Sequence, residues 1–251
     1  MIAVATWNVL HRVHAENWDE DVTVRWPREP ERIAAVTARL AGRGEQVIAL
    51  QEVSGDQLAS LRAGLAGRTI HALRYPRVPA PRRGTCPLRD PGEYLVLLVD
   101  GPGREVAASS FAGAPGKGAL AVLTAGALFV ATHVSADQRR KDQLAGLAGL
   151  AAAWPGHPTV LLGDFNADRA TVASGLGAGF SVAELPADAR PTRPGTSGAG
   201  PLCIDHVAVR GTGVSGAAVE DADGLSDHNL VRANITGWVA RQRQPVATQV
   251  D

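Results

Sequence analysis

Residues 160–168, with the sequence VLLGDFNAD, place a carboxylate and an amide two positions apart directly after an apolar stretch. Residues i and i+2 of an extended chain point to the same side, so Asp164 and Asn166 are expected to converge on one small target. A carboxylate that can accept a proton, next to a neutral amide donor, suits the hydrolysis of a phosphoester. This segment is therefore the first candidate for a hydrolytic site.

Similar polar groups follow other apolar segments of the chain. In sheet-based α/β folds, ligands gather at strand ends because the loops there are free to carry chemistry. A hydrophobic core alone would not require six such groups, so we expect them to meet in one site. Five follow predicted strands and the sixth precedes the last one: Thr6-Trp7-Asn8, Leu50-Gln51-Glu52, Ala131-Thr132-His133, Gly163-Asp164-Phe165-Asn166, Ile204-Asp205-His206 and Ser226-Asp227-His228.

The elements that must position these groups are predicted from hydrophobic periodicity and turn residues. Helices are predicted over Glu29–Arg43, Ser54–Leu65 and Asp137–Trp154. Long loops are predicted over Val9–Pro30, Tyr75–Pro91 and Ala187–Pro201. Strands are predicted over Ile2–Asn8, Gln46–Gln51, Ile70–Arg74, Glu93–Val99, Arg104–Phe111, Ala119–Thr124, Ala127–Thr132, Thr159–Leu162, Cys203–Val209, Val214–Val219 and Leu230–Ile235. The pattern by itself indicates a strand-rich α/β protein.

Composition limits the possible functions. The 251 residues are 45% hydrophobic, which allows one large domain, predicted over 1–238 with a flexible tail over 239–251. Lys plus Arg and Asp plus Glu both number 25, which argues against an extended basic surface for nucleic acid. The two cysteines, Cys86 and Cys203, have no close pairing in the sequence and form neither a zinc motif nor a disulfide framework. With no basic leader and no apolar stretch of membrane-spanning length, we expect a soluble, cytoplasmic protein without a membrane partner.

The ordered set of motifs resembles the endonuclease/exonuclease/phosphatase superfamily, also called deoxyribonuclease I-like or exonuclease III-like. The resemblance implies a four-layer α/β/β/α sandwich of two packed mixed, mostly antiparallel sheets. It also implies a divalent-metal-dependent phosphoester hydrolase. The motifs that carry it span residues 7 to 228 and are WNV (7–9), QEV (51–53), TH (132–133), GDFNA (163–167), ID (204–205) and SDH (226–228).

The resemblance assigns Glu52 as a ligand of Mg²⁺, for which Mn²⁺ is a possible substitute, because hard cations prefer oxygen ligands. Asn8 resembles the family's asparagine beside the metal, where its amide positions a ligand or a phosphate oxygen. Asp227 is assigned as a second metal ligand or a partner of one. Taken alone, Glu52 would be an acid favoured by the following helix N-terminus, and Asn8 a turn residue.

The remaining assignments concern water and phosphate. Asp164 resembles the group that orients or deprotonates the attacking water, and Asn166 the donor that stabilises charge on the phosphate. Asp205 and His228 form the expected carboxylate–histidine pair, in which the carboxylate fixes the imidazole tautomer. His133 resembles a phosphate-contacting histidine found in part of the family. The neighbouring His206 is expected to point to the opposite face of its strand.

The sequence departs from the family pattern in two places. Many nuclease members carry an acid two residues after the first asparagine, where this chain has Leu10. Many also have a Ser-Arg pair after the mid-chain strand, and Val99-Asp100 occupies the expected place here. The arginine-rich loop, Arg74–Arg89, is either a substitute source of phosphate contacts or an ordinary solvated loop. Residues 11–14, His-Arg-Val-His, are a further candidate for the pocket lining because they follow Asn8.

Three functions remain open from the sequence. The first is a phosphoesterase acting on a small or nucleotide-like phosphate ester, which the zero net charge favours. The second is a nuclease on DNA or RNA, with the arginine-rich loop as its contact to the phosphate backbone. The third is a non-catalytic binding member of the family, against which the complete set of polar groups argues. The sequence does not indicate an oligomeric state.

Overall fold

A computed structural model of the chain describes residues 1–195 and 200–237, and over these ranges twelve strands and six helices form. The strands are β1 (Ile2–Asn8), β2 (Val47–Ser54), β3 (Arg68–Arg74), β4 (Glu93–Asp100), β5 (Arg104–Phe111), β6 (Ala114–Thr124), β7 (Ala127–His133), β8 (Thr159–Asp164), β9 (Ser181–Val182), β10 (Asp205–Arg210), β11 (Gly213–Glu220) and β12 (Leu230–Thr236). The helices are α1 (Arg12–Asn17), α2 (Val22–Arg25), α3 (Glu29–Ala41), α4 (Gly55–Gly64), α5 (Arg140–Ala152) and α6 (Arg169–Leu176).

The described strands form two six-stranded sheets with matching arrangements. The first sheet has the order β11-β12-β1-β2-β4-β3 and the second has the order β5-β6-β7-β8-β10-β9. All neighbouring strands are antiparallel except β1 with β2 in the first sheet and β7 with β8 in the second. The expectation of two mixed, mostly antiparallel sheets is therefore confirmed.

The alternation of side chains along the central strands produces four layers. On β2, Val47 and Ala49 belong to the apolar core between the sheets, whereas Ile48 and Leu50 face α3 and α4 on the outside. Successive strand residues point to opposite faces, so a strand that is apolar throughout must be covered on both sides. Helices α5 and α6 cover the second sheet in the same way, packing on strand residues such as Leu161. The order of layers is α/β/β/α, as expected.

The parallel pairs direct several strand ends to one edge of the sandwich. Strands β1 and β2 both end there, and so do β7 and β8, because parallel strands share a direction. Strand β10 begins at the same edge, since it runs antiparallel to β8 with Asp205 directly opposite Asp164. On β2 the pairing register with β4 shifts between Leu50 and Val53, and this β-bulge redirects the backbone around Glu52.

Several predicted boundaries need correction. Residues Val9–Pro30 are not a plain loop, because the short helices α1 and α2 form there and α3 begins at Glu29. The strand predicted from Ala119 begins five residues earlier, at Ala114, and α6 and β9 were not predicted. Short helices with few apolar residues give too weak a periodic signal to separate them from loops.

The remaining expectations concern the tail, one loop, membrane-spanning helices and the two cysteines. The flexible tail predicted for 239–251 lies outside the described residues, as does part of the loop predicted over Ala187–Pro201. In the described part of the chain, no helix is both long enough and apolar enough to cross a bilayer. Cys86 and Cys203 are both free thiols, consistent with the absence of a disulfide framework.

Candidate active site

The predicted site residues surround a cavity of about 730 Å³ at the edge where the parallel strands end. Two predicted residues lie directly behind its wall: Asn8, which is 1% exposed, and Asp205, which is fully buried. All eight residues assigned from the sequence therefore lie in or against one cavity. Those that line it are Glu52, His133, Asp164, Asn166, Asp227 and His228.

Asn8 connects the two sheets through their carboxylates. Its side-chain nitrogen donates to Glu52 Oε1 and to Asp164 Oδ2, both at 3.2 Å. Its side-chain oxygen accepts a bond from the Leu10 backbone at 3.0 Å, which fixes the orientation of the amide. An asparagine is required here because only an amide donates to two carboxylates while also accepting a backbone hydrogen bond.

Glu52 is held in a strained backbone conformation. Its φ is 56°, in the left-handed region that non-glycine residues rarely adopt, at the bulge of β2. Burial opposes the charge on this side chain, but nearby cationic groups, His14 first, hold the pKa of the Glu52 carboxyl well below its ordinary value. Glu52 therefore presents an ionised carboxylate to the cavity.

Asp164 and Asn166 meet through a turn rather than along an extended strand. Strand β8 ends at Asp164, whose Oδ1 accepts the Asn166 backbone N–H at 2.9 Å, and Asn166 has a φ of 49°. Both residues line the cavity, but the contact between them joins a side chain to a backbone N–H at a turn and does not come from the expected i, i+2 alternation. The Asn166 side chain also donates to the Val134 backbone oxygen at 3.0 Å, which leaves one amide hydrogen unused by that bond.

Asp205 and His228 form the expected pair. His228 Nδ1 lies 2.9 Å from Asp205 Oδ2, and both side chains are buried. Burial alone would lower the pKa of His228, but the Asp205 and Asp227 carboxylates outweigh it and raise that pKa to about 10. His228 is therefore an imidazolium at neutral pH, with its Nε2 atom 4.0 Å from Asp227 Oδ2.

Lys117 is a site residue that the sequence analysis missed. Its ammonium group lies against His133 Nε2, which is itself 3.3 Å from Asp164 Oδ2. Burial lowers the pKa of Lys117, whereas Glu52 and then Asp164 act to raise it. The available signal was the Gly-Lys-Gly sequence at 116–118 in the strand that pairs with the His133 strand.

Lys117 also corrects the expectation for Val99-Asp100. Strand β4 runs antiparallel to β2, and Val99 pairs with Val47 at the start of β2. Val99-Asp100 therefore lies at the opposite edge of the sheet from the cavity. The cationic group of the site comes instead from β6, in the second sheet.

The two segments considered for the pocket lining each contribute in part. From residues 11–14, His14 lines the cavity and His11 is buried behind it. Burial, reinforced by His14, lowers the pKa of His11 to about 4, so His11 is neutral at pH 7. From the arginine-rich loop, Arg77 and Arg82 line the cavity. His206 bonds the Ala167 backbone oxygen at 2.8 Å and does not line the cavity, as predicted.

Comparison with protein families identifies the family of the chain. The family model described as the endonuclease/exonuclease/phosphatase family matches residues 5–228, most of the chain. The chain belongs to this family. The family resemblance drawn from the motifs is therefore confirmed, and with it the general activity, hydrolysis of phosphoester bonds. A sequence comparison with curated proteins gave no match.

Solved structures support the same fold. The endonuclease/exonuclease/phosphatase from Bacteroides vulgatus superposes with a TM-score of 0.66 at 17% identity, covering 93% of this chain and 98% of that chain. The human Nocturnin catalytic domain with bound sulfate gives 0.66 at 17% identity, covering 94% of both chains. D. rerio TDP2 complexed with a single-strand DNA product gives 0.65 at 14% identity, covering 94% and 98%. At these identities the likeness establishes the fold.

The residues present fit a divalent cation, as expected for a member of this family. Asp227 Oδ1 is buried and has no hydrogen-bond partner within the described ranges, whereas Arg193 contacts Oδ2 at 3.1 Å. Burial raises the pKa of Asp227, while His228 acts to lower it and Glu52 to raise it. A buried carboxylate oxygen without a partner favours a bound cation. A second group, Asp164, Asp205 and His228, has potential ligand atoms within 4.8 Å of one another. Since His228 Nδ1 already bonds Asp205, we assign that group to the carboxylate–histidine pair instead.

The buried guanidinium of Arg32 holds the loops on both sides of the family motifs. It donates to the backbone oxygens of Val9, Leu10 and Leu225 at 2.7–2.8 Å and to both Glu29 oxygens at 2.6 and 2.9 Å. These bonds connect the segment after Asn8 to the segment before Asp227. Arg32 lies on α3 and does not line the cavity, so nothing in its sequence position indicated this function.

We expect Arg32→Met to lower the free energy of unfolding by about 3 kcal/mol, because Glu29 and three carbonyls lose their buried partner. Arg12 remains 3.6 Å from Glu29, which limits the loss. Urea denaturation measures the change. Arg28→Met at the N-cap of the same helix is the control, since the Arg28 side chain is 76% exposed and makes no capping hydrogen bond, and it should change stability by less than about 0.5 kcal/mol. Equal losses for the two variants would contradict this function of Arg32.

Proposed function

We propose that this protein is a Mg²⁺-dependent phosphoesterase that hydrolyses a small or nucleotide-like phosphate ester by in-line attack of water. The observation that carries the proposal is the convergence of carboxylates and cationic groups from both sheets on one cavity of about 730 Å³. That volume lies in the range of small-molecule sites, roughly 300–1,000 Å³. The zero formal net charge gives no support for an extended nucleic-acid surface.

In this proposal, Asp164 orients the attacking water. Burial opposes its charge, but His133 holds the pKa of Asp164 well below its ordinary value. A carboxylate with such a low pKa is a weak proton acceptor, so it positions the water through a hydrogen bond. The second amide hydrogen of Asn166 is directed to a phosphate oxygen, where it stabilises the charge that develops in the transition state.

In the same scheme, the phosphate contacts two histidine side chains and one lysine side chain. His228, charged and oriented by Asp205, donates to one oxygen, and His133 with Lys117 contacts another. These groups are held in place before the substrate binds, so little reorganisation is needed as charge develops. Lys117 thus supplies a cationic group in a chain that lacks the family's Ser-Arg pair at Val99-Asp100.

Glu52 and Asp227 are the proposed protein ligands of Mg²⁺, with Asn8 positioned between Glu52 and Asp164. Mn²⁺ is the expected substitute, because both ions accept oxygen ligands. When bound, the ion would neutralise charge on the phosphate and on the leaving oxygen. The single domain over 1–238 and the cytoplasmic location stay predictions.

We expect Asp164→Asn, Asn166→Ala and His228→Ala each to lower kcat by roughly 10²–10⁴-fold with folding intact, because each removes a group that acts on water or phosphate. A screen of nucleotides, cyclic nucleotides, sugar phosphates and synthetic diesters with Mg²⁺ or Mn²⁺ supplies the substrate. Asp168→Asn is the matched control, because Asp168 is an exposed helix N-cap that asparagine replaces well.

Full activity in any of the three site variants would contradict the assigned function of that residue. Failure of the wild-type protein to hydrolyse any ester in the presence of either metal would favour a non-catalytic binding member of the family.

Metal binding tests whether the ion is held by Glu52 or by the set of Asp164, Asp205 and His228. Loss of a residue that only supports a metal ligand weakens metal binding by roughly 10–100-fold. We expect Glu52→Gln to weaken Mn²⁺ binding, measured by calorimetry, by at least this factor. Asp205→Asn should weaken it far less, because Asp205 is assigned to His228. A larger loss for Asp205→Asn would place the ion among Asp164, Asp205 and His228.

Nucleic acid is the second candidate substrate, since one structural neighbour is D. rerio TDP2 with a single-strand DNA product. A salt series tests it. Binding to a single strand should weaken with a slope of roughly −0.7 per phosphate contacted on a logarithmic plot. We expect the salt dependence of oligonucleotide affinity to have a slope no steeper than that for one or two phosphate contacts. A slope that requires many contacts would favour the nuclease.

A further inference from the structure

The cavity extends beyond the proposed hydrolytic centre to a wall formed by α1 and the arginine-rich loop. Asn17, at the end of α1, donates to the Ala80 backbone oxygen at 3.0 Å and accepts from the Arg82 backbone at 2.7 Å. The Arg82 guanidinium lies 4.1 Å from the centre of the Trp18 ring. These contacts tie the loop to the helix. We call this structure the outer wall.

A buried carboxylate behind the outer wall contacts two basic side chains that belong to this wall. Glu93 is fully buried, and its Oε2 atom lies 3.2 Å from His14 Nε2 and 3.3 Å from Arg77 Nη2. Both His14 and Arg77 line the cavity, whereas Glu93 does not. Glu93 therefore positions both groups and supplies one negative charge between them.

The position of Arg77 is built into the fold. Its backbone N–H donates to the Pro115 oxygen at 3.3 Å, next to the start of β6. Its guanidinium lies over Gly116, where an added Cβ would come within 2.6 Å of it. A residue with a side chain at 116 would displace the guanidinium, so glycine leaves the space that Arg77 occupies.

The charges on the rest of the cavity wall are already balanced or used. Asp227 and Glu20 both contact Arg193, at 3.1 and 3.3 Å. Glu52 and Asp164 belong to the proposed hydrolytic centre. Glu93 offsets the charge of Arg77, but Arg82 adds a further positive charge and no carboxylate from the arginine-rich loop lines the cavity, so the outer wall stays positively charged.

We propose that His14 and Arg77 form an anion subsite that binds a second phosphate group of the substrate, distinct from the phosphate that is hydrolysed. The inference rests on the proposed function, because it assumes that the scissile phosphate lies among Glu52, Asn166 and His228. An arginine held by a buried carboxylate is preorganised to bind phosphate, since its geometry is fixed before the ligand arrives. The substrate class is then a nucleotide-like ester with two phosphate groups.

Binding measurements test the subsite without requiring turnover. Adenosine 5′-diphosphate and adenosine 3′,5′-bisphosphate each differ from adenosine 5′-monophosphate by one phosphate. In calorimetry with Mg²⁺, we expect at least one of them to bind wild-type protein roughly tenfold more tightly than the monophosphate, as one additional charge-assisted contact would give. Arg77→Ala should remove this difference and leave the monophosphate affinity unchanged.

Matched variants separate the subsite from general effects. Arg77→Lys should restore part of the preference, and His14→Gln should reduce it. Arg139→Ala is the control, because the Arg139 and Arg77 side chains are both 47% exposed and both pair with a carboxylate. A second phosphate could also raise affinity by chelating Mg²⁺. That contribution would persist in Arg77→Ala, so it does not explain a preference that this variant removes.

Two results would overturn the subsite: equal affinities of wild-type protein for all three nucleotides, or an unchanged preference in Arg77→Ala. A different result would contradict the proposed function: the absence of metal-stimulated hydrolysis, whatever the nucleotide preference. A preference that Arg77→Ala removes, in a protein without hydrolytic activity, would retain the subsite and reject the catalytic proposal.

Discussion

The structure depends on one constraint, the parallel pairing of β1 with β2 and of β7 with β8. Each pair sends two strand ends to the same edge, and the two sheets pack face to face, so the four ends meet. The remaining neighbours are antiparallel, which lets Asp205 begin β10 opposite Asp164 and lets His228 precede β12 beside Asn8. A one-residue slip in these registers would turn the polar ends toward the apolar layers.

A second consequence is the concentration of charge in a buried place. Carboxylates and cationic groups are brought together there at an energetic cost that only mutual pairing offsets. Asn8 donates to two carboxylates, Asp205 pairs with His228, and His133 lies 3.3 Å from Asp164. The left-handed backbone at Glu52 and Asn166 adds strain that the surrounding packing must support. Backbone strain and buried charge of this kind are typical of functional sites.

The region between β1 and α3 borders the cavity beyond the strand ends. It contributes α1 and, together with the arginine-rich loop, the outer wall of the cavity. Arg32 holds this region against the segment before Asp227 through backbone oxygens, so the wall and the family motifs are mechanically connected. The proposed subsite and the proposed hydrolytic centre therefore both adjoin segments that the same buried guanidinium holds.

The sequence by itself determined which chemical groups are present and the order in which they occur, because each motif is a local pattern at a strand end. It therefore indicated the layers, the family and the eight residues that meet at the cavity. Tertiary structure decided how they meet: Asn166 approaches Asp164 through a turn, and Lys117 reaches the site from β6. It also decided the functions of Arg32 and Glu93, whose partners are distant in sequence. Such contacts depend on strand register and loop packing, which local periodicity does not encode.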